Sequence, residues 1–153
     1  MMQLRKLDVS IIHFFRLVSM PIARFGLFVI FFWFGILKVL DLSPATELVQ
    51  NLFERTIHFM SFPSFIVLFG VFEMLIGVLF LIKGLERVVI PLLFLHMAMT
   101  FMPLFVIPQE TWLGFMVPTL EGQYIIKNLA LIAVAIGIAS HLHPMLKSGV
   151  RKA

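Results

Sequence analysis

The chain has 153 residues, of which 61% are hydrophobic and 13% charged, whereas an ordinary soluble domain has about 45–50% apolar and about 25% charged residues. Because a domain of this length buries only about 70% of the surface that its unfolded chain exposes, this composition excludes a soluble monomer. The absence of cysteine excludes disulfides and cysteine-ligated metal sites in this chain. The net charge of +4 does not indicate a nucleic-acid partner, because the twelve Lys and Arg residues interrupt apolar runs instead of forming a basic, aromatic patch.

Four segments approach the roughly 20 apolar residues that a helix needs to cross the ~30 Å hydrocarbon layer of a membrane. A helix satisfies its own backbone hydrogen bonds, so it is the structure expected for such segments. The sequence therefore predicts an all-α fold, a polytopic membrane four-helix bundle that forms one domain over residues 1–153. The predicted spans are residues 24–42, 63–82, 88–108 and 124–142.

The N-terminal segment, residues 1–21, is predicted to be a helix that lies in the membrane interface and ends near Pro21. An early start of the first span explains the same residues equally well. The polar side chains in this segment are His13 and Arg16, and the apolar residues around them are Ile11, Ile12, Phe14, Phe15 and Val18.

The first span is too rich in phenylalanine for a cleavable signal and lacks a small-residue cleavage site, so we expect it to stay in the chain. After it, Ser43 and Pro44 form a helix-start signal that predicts a short helix in the first outer loop.

Positive charges are concentrated at one end of the predicted spans, and acidic residues at the other. By the positive-inside rule, both termini then lie in the cytoplasm. The cations on that side are Arg5, Lys6, Arg16, Arg24, Lys83, Arg87, Lys147, Arg151 and Lys152.

Each predicted span carries one ionisable residue: Lys38, Glu73, His96 and Lys127. A charge at membrane depth costs about 2.5 kcal/mol or more, so such groups usually face a protein interior and find partners there. We therefore expect all four to point into the bundle.

Helical periodicity places other residues on the faces of these four. Gly70, Gly77 and Gly84 share the face of Glu73 and predict a close helix contact. The face of Lys38 also carries Phe31 and Phe34, and that of His96 carries Thr100.

The preferred partner of Glu73 is Lys127, because helix side chains lean toward the N-terminus and Glu73 then leans toward the outer side. A pair between Lys38 and Glu73 is the second choice. The lysine left over is either capped by a carboxylate or faces the electron-rich head group of a ligand. The candidate capping residues are Asp41, Glu110 and Glu121.

Metal and haem sites are less well supported. His96 and Met99 have the spacing of copper ligands, but methionine is equally a filler of gaps in apolar helices. A bis-histidine haem needs a second imidazole at the depth of His96, which the sequence does not offer. We predict no metal.

Several segments of the chain resemble the DoxX-like family of small four-helix membrane proteins, in the branch that contains the reactive-chlorine-resistance inner-membrane proteins. The resemblance implies a bacterial inner membrane and a link to quinone-dependent oxidation, oxidative-stress defence or the assembly of membrane proteins. The family pattern picks out Lys38, Glu73 and Lys127. The matching segments are FFWFGILKVLDLSPA, GVFEMLIGVLFLI, TFMPLFVIPQETW and EGQYIIKNLALIAVAIGI.

Three functions are consistent with these residues. The first is a redox- or stress-associated membrane subunit that binds a quinone, in which Glu73 and His96 act catalytically by moving protons. The second is a non-catalytic lipid-binding or assembly module in which buried charges specify helix packing, and a transporter is a third. The expected partners are the bilayer, a membrane or peripheral redox protein, and a second copy of the chain. The residues expected to bind the ligand are Lys38, Lys127, Phe31, Phe34 and Thr100.

Overall fold

The computed structural model describes residues 2–142 and is mostly helical, at 79%. Within that range, four helical segments are long and apolar enough to cross a membrane. The prediction of four such helices is therefore confirmed in their length and composition. The C-terminal cations Lys147, Arg151 and Lys152 lie outside the described residues. The four segments are Leu7–Val39, Phe62–Leu81, Glu86–Val106 and Leu120–Ala139.

The third and fourth of these segments are each divided into two helices, at Met102 and at Asn128. A two-stranded antiparallel ribbon, β1 and β2, joins them and is an exception to the predicted all-α fold. In chain order the elements are α1 (Met2–Val39), α2 (Thr46–Thr56), α3 (Phe62–Leu81), α4 (Glu86–Phe101), α5 (Pro103–Val106), α6 (Pro108–Thr111), β1 (Trp112–Gly114), β2 (Val117–Pro118), α7 (Leu120–Lys127) and α8 (Leu129–Ala139).

Helix α1 runs without interruption through Pro21, so the predicted helix end near that residue is wrong. Proline removes a single backbone donor, and helices in an apolar environment tolerate that loss. At about 1.5 Å per residue, the 38 residues of α1 extend about 57 Å, well beyond the ~30 Å of the hydrocarbon layer. Residues 7–17 of α1 are all exposed, and among the described side chains of this helix fully buried ones begin only at Leu27.

Helices α1 and α3 cross at glycines. A Cβ atom built on Gly35 would lie 2.5 Å from the carbonyl oxygen of Gly70, and one built on Gly70 would lie 2.6 Å from that of Gly35. One built on Gly77 would lie 2.9 Å from the backbone nitrogen of Phe32. The predicted close contact is therefore confirmed at Gly70 and Gly77. It is wrong at Gly84, which follows the end of α3 in a turn with φ of +94°. A Cβ atom built there would meet no atom within 4 Å.

The main cluster of buried apolar residues comes from α1, α3, α4 and α8. Helix α1 contacts α3 and α8, and α4 contacts the same two helices. The core therefore lies between these four helices, and it ends where the polar cluster described next begins. Its members are Leu27, Phe31, Ile76, Phe80, Val89, Ile90, Leu93, Met97, Ala135 and Ile138.

Candidate functional site

A polar cluster lies where α1, α3 and α4 meet, and each helix supplies one ionisable side chain to it. Lys38 is 6% exposed, Glu73 5% and His96 4%. The glycine crossing positions the first two, because a Cβ atom on Gly70 would meet the Cβ atom of Lys38 at 3.0 Å. The absence of a side chain at Gly70 thus lets Lys38 pass over α3 toward Glu73, one turn further along.

The carboxylate of Glu73 uses both of its oxygens. Lys38 Nζ donates to Oε2 at 2.7 Å, and His96 Nε2 lies 2.8 Å from Oε1. A carboxylate only accepts, so Nε2 carries the proton when Glu73 is ionised. The charges of Lys38 and of an ionised Glu73 then balance each other.

Thr100 completes the cluster on α4, one turn beyond His96. Its Oγ1 lies 3.3 Å from His96 Nδ1 and donates to the His96 carbonyl oxygen at 3.0 Å. Thr100 is only partly buried, whereas Lys38, Glu73 and His96 are buried. Thr100 is therefore the most accessible polar residue of the cluster.

Phenylalanine rings surround the imidazole of His96. Phe69 stacks on it with centroids 5.2 Å apart and 10° between the ring planes, and Phe31 meets its edge at 5.3 Å. Phe72 lies at 6.2 Å, and Lys38 Nζ lies 5.5 Å from the Phe69 centroid. Such apolar surroundings strengthen the hydrogen bonds of Glu73, since a low local dielectric constant increases electrostatic interactions.

The preferred pairing of Glu73 with Lys127 is wrong, and the second choice, Lys38, is the observed partner. Lys127 is exposed on α7, where its Nζ lies 5.3 Å from the centroid of the Tyr124 ring. Within residues 2–142 no carboxylate caps Lys127, and the side chain of Glu110 instead accepts from Asn51 Nδ2 at 3.1 Å.

Phe34 also lies away from the cluster, with 47% of its surface exposed. Steps of four, four and three residues place Leu27, Phe31, Gly35 and Lys38 on one face of α1, and all four are buried. Phe34 lies beside that face and points outward. Of the predicted site residues, the structure brings together Lys38, Glu73, His96, Phe31 and Thr100, and it leaves out Phe34 and Lys127.

Sequence reasoning missed two features of the structure. One is the contact of Phe72 with His96. The other is an ion pair between Arg24 on α1 and Glu86 at the start of α4, in which Arg24 Nη1 also reaches the Phe80 carbonyl oxygen at 3.4 Å. The sequence feature that could have indicated this ion pair is Glu86, an acidic residue between the cations Lys83 and Arg87 at the basic end of the spans.

The cluster joins a carboxylate to an imidazole, two groups that can exchange a proton. Within the described part of the chain, no three His, Asp or Glu residues come together as metal ligands. Every buried side-chain nitrogen or oxygen there also has a hydrogen-bond partner. Glu73 and His96 lie 2.8 Å apart, a distance over which a proton can pass.

No family model, curated protein or solved structure matches this chain. The function is therefore argued from the geometry of the cluster.

Proposed function

We propose that this chain is a redox- or stress-associated membrane subunit in which Glu73 and His96 exchange protons with a quinone-like head group. The observation that carries the proposal is the buried hydrogen bond between His96 Nε2 and Glu73 Oε1 at 2.8 Å. Carboxylates and imidazoles are the usual groups of general acid–base catalysis, and a buried ionisable group in a membrane protein is commonly functional.

The two nitrogens of His96 suit this role. Nε2 donates to Glu73, and Nδ1 faces the partly buried hydroxyl of Thr100. A proton taken up at Nδ1 can be matched by release of the Nε2 proton to Glu73. Lys38 then keeps the remaining positive charge beside the carboxyl group, and the phenylalanine rings keep water away from the exchange.

We place the quinone head group on the side of the cluster that Thr100 occupies. His96 and Thr100 would hold a carbonyl oxygen of the head group there, and Phe69 would offer an apolar ring to it. When bound, the quinone supplies the capacity to hold electrons. The electrons themselves must come from a redox partner in the membrane or at its surface, because no side chain of the cluster is a redox group.

We also propose a membrane and an orientation for the four helices. We place the four helices as a bundle in a bacterial inner membrane with both termini in the cytoplasm, and the helix α2 at the outer surface of that membrane. The asymmetry of charge between the two ends supports this orientation. The redox association is itself a proposal, made from the resemblance of the segments around Lys38, Glu73 and Lys127 to the DoxX-like family.

A second candidate function is a non-catalytic lipid-binding or assembly module. The observation in its favour is that every buried side-chain polar atom in the described part of the chain is already paired, so that the Lys38–Glu73 pair joins α1 to α3 without a ligand. In this case the charges specify how the helices pack, and the cluster carries no chemistry.

Organic extraction of the protein purified in mild detergent, followed by mass spectrometry, distinguishes the quinone-binding subunit from the non-catalytic module. We expect about one quinone per chain in the unmodified protein, its loss in Thr100→Val, and its retention in Lys127→Gln, whose lysine lies outside the cluster. Preparations that contain no quinone above the level of the bulk lipid would overturn the redox proposal and favour the assembly module.

A further inference from the structure

A cavity of about 510 Å³ lies at the end of the spans where α3 ends and α4 begins, far along α1 from the polar cluster. Four parts of the chain form its wall: the middle of α1, the turn after α3, the start of α4 and the end of α8. Arg24, Lys83, Glu86 and His141 provide its polar groups, and Met20 and Ile138 are among its apolar residues.

The charges around this cavity do not cancel. Glu86 is buried and is already engaged by Arg24. Lys83 is exposed at the rim, and within residues 2–142 it has no carboxylate at ion-pair distance. The polar lining therefore holds two cations against one anion, which leaves an excess positive charge beside an apolar wall.

The orientation of His141 adds a further donor. Its Nδ1 lies 2.9 Å from the carbonyl oxygen of Gly137, which only accepts, so Nδ1 carries a proton, and the Ser140 hydroxyl lies at 3.3 Å. In the part of the chain that the structure describes, Nε2 has no partner. An imidazole that carries both protons would offer Nε2 as a donor to an anion in the cavity.

We propose that this cavity binds the phosphate group of an anionic phospholipid. Basic pockets between membrane helices bind anionic head groups, and the apolar wall suits the glycerol and the first acyl carbons that a free anion lacks. Leu81 and Ile82, both nearly half exposed beside the cavity, offer a surface along which the acyl chains can lie. Arg24 is held in place by Glu86 and by the Phe80 carbonyl oxygen, which leaves Lys83 and His141 to close on the phosphate.

The test is a titration of the full chain in mild detergent with phosphatidylglycerol, followed by native mass spectrometry. Phosphatidylcholine, which is neutral overall, and inorganic phosphate serve as the other two probes. We expect saturable binding of about one phosphatidylglycerol per chain. Binding of phosphatidylcholine with equal affinity, or equally tight binding of inorganic phosphate, would overturn the proposal, the latter in favour of a free-anion site.

The variants are Lys83→Gln and His141→Gln, with Arg55→Gln as the matched control. Arg55 is an exposed cation on α2, at the other end of the spans, and its substitution changes the net charge by the same amount as Lys83→Gln. One cation beside an anionic head group corresponds to a roughly fivefold change in affinity, so Lys83→Gln should weaken binding about fivefold. His141→Gln should also weaken it, and Arg55→Gln should leave it unchanged.

Equal weakening by Lys83→Gln and Arg55→Gln would indicate diffuse attraction to the whole chain and would contradict a site. Lys83 and His141 are both exposed, so their variants are expected to fold, and size-exclusion chromatography with circular dichroism checks this. The result is independent of the proposed redox function, because none of these residues belongs to the polar cluster.

Discussion

The Nε2 atom of His96 lies 2.8 Å from Oε1 of Glu73, although 23 residues separate the two in the chain. They meet because α3 and α4 are joined by a turn over residues 82–85, with Glu73 about two and a half turns before it and His96 about three turns after it. Lys38 reaches the other carboxylate oxygen from α1 at 2.7 Å. One carboxylate thus connects three helices. Its contribution to the free energy of unfolding can be measured separately from its capacity to transfer a proton.

Removal of the cation should destabilise the protein strongly. Lys38→Met leaves a buried carboxylate with only the imidazole as its partner, and breaking a buried pair in this way costs about 3–5 kcal/mol. The matched variant Lys127→Met should change the free energy of unfolding by no more than about 0.5 kcal/mol, since Lys127 is exposed. Denaturant unfolding in mild detergent measures both. Equal effects of the two substitutions would contradict the pairing of Lys38 with Glu73.

The loss caused by Lys38→Met should be largely reversed by a second substitution, Glu73→Leu, because the double variant leaves no buried charge. Recovery will be incomplete by about 1 kcal/mol, since His96 then lacks its acceptor. The same cycle with Lys127 in place of Lys38 should be additive, because Lys127 does not contact Glu73. A coupling energy for the Lys127 cycle as large as that for Lys38 would show that the partner is misassigned.

Gly70→Ala should push α1 and α3 apart. Its Cβ atom would lie 2.6 Å from the Gly35 carbonyl oxygen, a backbone atom that cannot rotate away, and overpacking of this kind costs about 1–3 kcal/mol. Gly137→Ala on α8 is the control, because a Cβ atom there meets nothing within 4 Å and alanine favours a helix. We expect a lower melting temperature in detergent for Gly70→Ala and an unchanged or higher one for Gly137→Ala. The opposite order would mean that the two helices do not cross at Gly70.

Glu73→Gln separates proton chemistry from packing. The amide keeps the shape of the side chain but loses the negative charge and the capacity to take up a proton. Under the redox proposal, cells that carry this variant should lose protection against an oxidant while the protein still accumulates in the membrane. Immunoblotting of membrane fractions gives the level of the protein, and survival after oxidant exposure gives its activity. Loss of the protein from the membrane would instead assign a packing role to the charge.

The spans could be predicted from the sequence because hydropathy is a local property. A run of about 20 apolar residues becomes helical in an apolar solvent whatever its neighbours are, since its backbone has no other partner. The burial of Glu73, Lys38 and His96 followed from the cost of placing a charge in lipid, but the same argument is wrong for Lys127, which is exposed. The glycines on the face of Glu73 correctly indicated a close helix contact at Gly70 and Gly77.

The partner of Glu73 required the tertiary structure. Lys38 and Lys127 have the same charge and comparable positions in their spans, and the lean of a helix side chain favoured the wrong one. The choice depends on how α1 and α3 are rotated and how closely they cross, and that distance is set by backbone contact between Gly35 and Gly70. Local sequence determines which residues cannot face lipid, whereas the relative placement of helices far apart in the chain decides which of them meet.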